Sequence, residues 1–138
     1  MIDGAKVKTP KSIEAALNYN SKKVQRGDAV SLHAANYLNN AKKMNFYQKL
    51  NGFERLNGLN ERATTKTLHV FFNFSPTEKL NDNKLTEIAS MYMGEIGFGN
   101  QFFIIYKHND SVNPHIHMVS NTIRQDGSRI NTHNIGRN

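Results

Sequence analysis

Leu85, Ile88, Ala89, Tyr92 and Ile96 recur at intervals of three and four residues, the spacing that lines apolar side chains along one side of an α-helix. Asn81 or Asp82 stands where a helix cap belongs, and Gly97 to Gly99 supplies a stop. The same spacing recurs within 42–60 through Phe46, Leu50, Phe53 and Leu56, despite Gly52 and Gly58. Nearer the N-terminus, Ile13, Ala16, Leu17 and Asn20 predict a short helix, with Thr9 as its cap before a Pro10 at the first helical position. Tyr19 lies one step round from that stripe. Other segments lack this period. "TTKTLHVFFNF" (64–74), "QFFIIYKH" (101–108) and "PHIHMVSNTIR" (114–124) are β-branched and aromatic, so they predict strands, the first of them interior because its apolar centre is continuous. "AKVK" (5–8) is a weaker strand candidate, and Gln125-Asp126-Gly127 turns the chain into a short "SRIN" return. "AVSLHAANYL" (29–38) fits a strand or the start of a helix, and periodicity leaves both open. "THNIGRN" at the C-terminus has no period. Antiparallel strands with intervening helices imply an α+β fold, a two-layer sandwich with the helices packed on one face of a central antiparallel β-sheet.

Length and charge narrow the function. A chain of 138 residues with 38% hydrophobic content, eight Phe and five Tyr supports one modest core and one domain. Its net charge of +7 attracts polyanions, nucleic acid or an anionic membrane surface. No window approaches the roughly 18 apolar residues of a membrane span, and "MIDGAKVKTPKS" lacks the apolar centre of a signal peptide, so the expected location is the cytoplasm without membrane insertion. With no cysteine, any metal must be held by nitrogen and oxygen.

That restriction draws attention to "HNDSVNPHIHMVSN" (108–121), which holds three of the six histidines. In a strand, His115, His117, Val119 and Asn121 point one way, while Ile116, Met118 and Ser120 point the other and can pack on helices. His108 closes the preceding strand, and the loop through Asn109, Asp110, Asn113 and Pro114 suits a return that brings the strand ends together. Three imidazoles leave coordination positions open, as a catalytic ion requires. Asp110 is suited to orient a ligand imidazole or to ligate directly. The competing reading is a polar strand face with no ion.

The segment resembles the H-x-D-x-x-x-P-H-x-H-x-x-x-N motif of the relaxase, or mobilization nuclease, family, within the endonucleases named for paired histidines around a hydrophobic residue. "TLHVFFNFSPTEKL" is similar to that family's H-x-x-x-x-F-S-P strand and loop, and "AALNYNSKKV" to the segment bearing its nucleophilic Tyr. The resemblance runs through most of residues 5–130. It implies a sheet with both histidines at its centre and a divalent metal ion, Mg²⁺ or Mn²⁺. It also implies site- and strand-specific nicking of single-stranded DNA at a plasmid or transposon origin of transfer, with accessory relaxosome proteins as partners. By the same resemblance the ligands are His108, His115 and His117, the nucleophile is Tyr19, and Asp110 and Asn121 support the site. His69 either assists there or is an ordinary inward-facing strand histidine. Because relaxases are commonly longer, the chain is expected to be the N-terminal catalytic part of a larger protein.

A phenol is a weak nucleophile at neutral pH and needs charge stabilisation at the phosphate, which a metal ion supplies. Among the other tyrosines, Tyr92 and Tyr106 fall on core patterns and Tyr47 is undecided. Tyr37 repeats the Asn-Tyr pair and is the best rival, but it lacks the "SKKV" that follows Tyr19. Lys22, Lys23, Arg26 and Arg124 are the candidate phosphate contacts, with Lys42, Lys43 and Arg129 scattered behind them. Three alternatives remain: a replication initiator or transposase of the same histidine-pair group, an inactive metal-containing single-strand-binding module, and a metallohydrolase using water.

Overall fold

The computed structural model describes every residue except 1, 39, 76, 111–114, 134 and 136–138, with residues 2 and 3 described by backbone alone. Five strands form one sheet in the order β1 (Ile2–Lys8), β3 (Thr67–Phe74), β5 (His115–Asn121), β4 (Phe103–His108) and β2 (Ala29–Ala35). Every neighbouring pair is antiparallel. The stretch that periodicity left open is thus an edge strand, and the 64–74 run is interior as expected. Beyond β5, Ile123 bridges Arg129 across the turn expected at Gln125-Asp126-Gly127. No helix among the described residues is long and apolar enough to cross a membrane.

Local chemistry sets the helix limits. Helix α1 (Ile13–Gln25) begins after Ser12, whose side chain accepts from the Ala15 N–H at 3.1 Å. Thr9 is therefore not the cap: the apolar spacing starts at Ile13, and Ser12 immediately precedes it. Its buried residues, Ile13, Ala16, Leu17 and Asn20, are the predicted stripe. Gly27, at φ 83°, then reverses the chain into β2. Helix α2 (Phe46–Asn57) opens on a reciprocal Asn45–Gln48 capping box, and α3 (Asp82–Glu95) opens on Asn81.

The helices cover both faces of the sheet, not one. Leu85, Ala89 and Met93 of α3 pack on a face that includes Val70, Phe72 and Met118. Leu17 of α1 and Leu50 and Phe53 of α2 pack on the other, against Ile104, Tyr106 and Val119. Central strands with apolar residues at successive positions cannot leave either side in water, since a fully buried side chain of this size contributes about 1.5–3 kcal/mol. The α+β class and the antiparallel sheet stand; the layering is helix, sheet, helix. Helix α1 thereby lies over the face that carries the histidines.

Candidate active site

Cross-strand register places the polar residues in rows. His108 pairs with His115, which pairs with Asn73. Tyr106 pairs with His117, His117 with Phe71, and Phe71 with Lys6. Ile104 pairs with Val119, Val119 with His69, and His69 with Lys8. Directly opposed residues share a face, so His69, His108, His115 and His117 all stand on the side of α1. The return between His108 and His115 passes through residues 111–114, outside the described residues, but the pairing of the two histidines is observed.

Tyr19 projects from α1 above them. Its ring centroid is 6.1 Å from those of both His108 and His117 and 6.4 Å from that of His69, and the residue is 48% exposed. Tyr37, the rival, stacks on Phe102 at 4.4 Å and donates its hydroxyl to the Lys49 carbonyl at 2.7 Å. Burial pushes its phenol far above the ordinary value. It lies so close over Gly52 that a Cβ there would come within 2.7 Å of the ring. Tyr106 is fully buried and Tyr92 packs against the α3 core, as their patterns predicted. Tyr47 is exposed on α2.

Each histidine has one nitrogen oriented by the protein. Asn20, buried in the α1 stripe, donates its Nδ2 to the Ala16 carbonyl at 2.9 Å, which turns its Oδ1 toward His108 Nε2 at 2.7 Å. A neutral His108 then carries its proton on Nε2 and its lone pair on Nδ1. Asn73 Oδ1 likewise meets His115 Nδ1, and His69 Nε2 meets His117 Nδ1 at 3.2 Å. Burial holds His117 down at about 2 and both His69 and His108 at about 4; neighbouring imidazoles add to it, as do Lys8 at His69 and Lys23 at His108, while the Asp110 carboxylate works against it at His108 and His117. These three rings are therefore neutral near pH 7. Neutral imidazoles, each steadied through one nitrogen, are the donor chemistry of a metal site. In this arrangement, however, the His108 and His117 rings stack at 3.7 Å, and among the described residues no set of three or more His, Asp or Glu side chains closes on a common ion position. Holding an ion requires the stacked rings to turn.

The other expected supporting residues divide. Asp110 pairs with Lys23, so its partner is an ammonium and not an imidazole. The same Lys23 Nζ lies 5.7 Å from the Tyr19 ring centroid, and the Asp110 contact raises the pKa of the amine. Asn121 stands at the far end of β5, bonded to Asn57, Gln101 and Ile123, away from the histidines. Arg124 is held by Ser128 in the turn beyond it, and Arg26 pairs with Asp28 at 3.6 Å. Lys22 is exposed in the last turn of α1. Sequence reading missed Asn20 and Asn73. The first was visible as a polar residue on an apolar stripe, the second as the third member of an alternating His69-Phe71-Asn73 set.

No curated protein and no solved structure matches the chain. A family model described as "Relaxase: MobA/VirD2-like, nuclease domain" matches residues 19–138, beginning at Tyr19 and taking in every histidine. The chain therefore belongs to the relaxase family of DNA-nicking, single-strand-binding nucleases, through its MobA/VirD2-like nuclease domain.

Proposed function

We propose that this domain nicks one DNA strand at an origin of transfer by transesterification, with Tyr19 as nucleophile, in the mobilization of a plasmid or transposon together with accessory relaxosome proteins in the cytoplasm. The observation that carries the reading is a half-exposed phenol whose ring centre is 6.1 Å from two neutral, oriented imidazoles. The Tyr19 oxygen attacks the scissile phosphorus, the P–O3′ bond breaks, and the phenol proton is lost while the departing 3′-oxygen gains one. A 5′-phosphotyrosine and a free 3′-hydroxyl result. The ester conserves the bond, so a second 3′-hydroxyl can reverse the step.

His108, His115 and His117 would hold a divalent ion, Mg²⁺ or Mn²⁺. Bound there, it supplies positive charge to a non-bridging phosphate oxygen. Asn20, Asn73 and His69 steady the three imidazoles. Lys23 brings a cation beside the phenol, and Asp110 holds that ammonium in position. Lys22 and Arg26, on the last turn of the same helix and just beyond it, are suited to hold backbone phosphates without reading bases.

The test uses a pool of single-stranded oligonucleotides of randomised sequence with Mn²⁺, read as covalent protein–DNA adduct on a denaturing gel, with sequencing of the captured strands. Wild-type protein is expected to capture a restricted set of sequences and Tyr19→Phe to capture none. Equal capture by Tyr19→Phe, or cleavage by wild type with no adduct, would overturn the mechanism.

A further inference from the structure

Phe71 sits in the middle of an interior strand and yet is only partly buried. Its neighbours Phe72 and Phe74, on the opposite face, are at most 1% exposed within the α3 core. Phe71 belongs to neither hydrophobic cluster. On its face, α1 and α2 pack against residues of β2, β4 and β5, while the β3–β1 side carries Phe71, Asn73, Lys6 and Lys8, of which Asn73 and both lysines are exposed. The Phe71 ring stacks on His69 at 4.3 Å and lies T-shaped to His117 at 4.6 Å, and Lys8 Nζ lies 5.7 Å from its centroid. One row thus runs from His117 through Phe71 to Lys6 at the free edge.

We propose that Phe71 is the stacking platform for a nucleobase of the bound single strand, next to the phosphate at the histidines, and that Lys6 and Lys8 hold the backbone beyond it. The inference rests on the single-strand reading above and gives the strand a path across the sheet. An aromatic face bordered by cations matches an unpaired base joined to phosphates, and stacking of this kind is sequence-tolerant. Lys6 and Lys8 lie outside the segment the family model matches, which begins at residue 19, so the path extends beyond the part the family defines. The competing role for Phe71 is purely to pack His69 and His117.

Because the chain has no tryptophan, Phe71→Trp places a single fluorophore on the platform. Met91→Trp places one on α3, across the sheet, at a residue that is 60% exposed. Titration with a 12-nucleotide oligothymidylate is expected to quench Phe71→Trp saturably and to leave Met91→Trp unchanged. Phe71→Leu, which keeps an apolar neighbour for the histidines but removes the aromatic face, is expected to bind the fluorescein-labelled oligonucleotide about tenfold more weakly. Replacing Lys6 and Lys8 by Ala together should flatten the salt dependence of binding. Unchanged Phe71→Trp emission at saturation, equal quenching at Met91→Trp, or wild-type affinity in Phe71→Leu would overturn the platform. Adduct formation by wild type with an unquenched Phe71→Trp rejects the platform alone, whereas selective quenching without any adduct rejects transesterification alone.

Discussion

At the end of β5 that closes on Asn121, the buried carboxamide donates from Nδ2 to Asn57 Oδ1 at 2.9 Å and to the Ile123 carbonyl at 3.1 Å. It accepts from Gln101 Nε2, which also reaches the Asn121 and Ile123 carbonyls at 3.0 and 2.8 Å. Donors and acceptors there saturate one another. At the end that opens on His115, each imidazole commits one nitrogen to Asn20, Asn73 or His69. A neutral ring so held has its second nitrogen to offer elsewhere. Both ends supply polar residues to one sequence motif, so residue type alone does not separate scaffold from site. How completely the protein uses their hydrogen-bonding capacity does.

The largest effect should come from forcing the two ends apart in function. His117→Ala is expected to lower adduct yield by about 10²–10³-fold, as loss of one charge-stabilising group does. Asn121→Ala should leave yield per folded molecule within about twofold of wild type, if polar saturation marks scaffold as the contrast implies. Adduct yields that fall equally in the two variants would show that both ends serve the chemistry.

Acid comes next, because His69, His108 and His117 are rings whose protonation burial opposes, and the Asn121 cluster has no such group. His69 and His108 have folded-state values held by burial at about 4, below the ordinary 6.5. Between those values the unfolded chain binds more protons, so stability falls as pH drops through 6.5 and levels off near 4. For one ring the loss by pH 4 is on the order of 3 kcal/mol, and for the two together it is less than twice that, because a charged His108 is itself part of what depresses His69. The His117 contribution continues toward about 2. Asp110 and Lys23 beside His108 act in opposite directions on it, and Lys8 adds to the depression at His69. Denaturant melts of metal-free protein from pH 7.5 to 4 give the curve. His69→Gln, His108→Gln and His117→Gln should each flatten it, while Asn121→Ala displaces it without changing its shape. A curve flat between pH 6.5 and 4.5 would mean that these rings are open to protonation in the folded state.

How much of this contrast could be read from residues alone follows from what period and register carry. The face shared by His115, His117, Val119 and Asn121 was legible, because strand alternation depends only on sequence spacing. The α1 stripe with Tyr19 beside it was legible for the same reason, and the matching motif pointed to both. What alternation does not carry is which strands are neighbours. The row Lys6–Phe71–His117 exists because β3 lies between β1 and β5, and no local pattern encodes that order. Asn20 became the partner of His108 only when α1 settled on that face. Asp110 was read as orienting an imidazole or ligating an ion because carboxylates commonly serve metal-bound histidines and it matches a supporting position of the motif; Lys23, 87 residues away in sequence, pairs with it instead. Likewise the motif's final Asn looked like site chemistry until Gln101 and Asn57 were seen to occupy it.

A smaller effect tests the saturated end directly. Asn121→Ala removes the donors to the part-buried Asn57 Oδ1 and to the Ile123 carbonyl, while Gln101 Nε2 keeps its bonds to the Asn121 and Ile123 carbonyls, at a cost of about 2 kcal/mol. The loss should be independent of pH between 7.5 and 4.5, and Asn121→Asp should not recover it, since an anion cannot donate to Asn57 and Ile123. A loss below about 0.5 kcal/mol would place Asn121 among ordinary surface positions.

The smallest effect is also the sharpest for the open end. Asn73→Ala removes the acceptor that orients His115 Nδ1 and touches neither the core nor the nucleophile. Freed from that contact, the His115 ring can adopt either tautomer and turn on its side chain, so part of its population no longer offers the nitrogen that the Asn73 contact leaves for an ion. Outer contacts of this kind change metal affinity by roughly tenfold or somewhat more, which calorimetric titration with Mn²⁺ resolves. Asn73→Asp should restore the affinity, because a carboxylate accepts from the same N–H. Asn121→Ala should titrate like wild type. Wild-type affinity in Asn73→Ala would show that His115 is not held ready for an ion, leaving only the stacked His108–His117 pair to distinguish this end of the strand from the other.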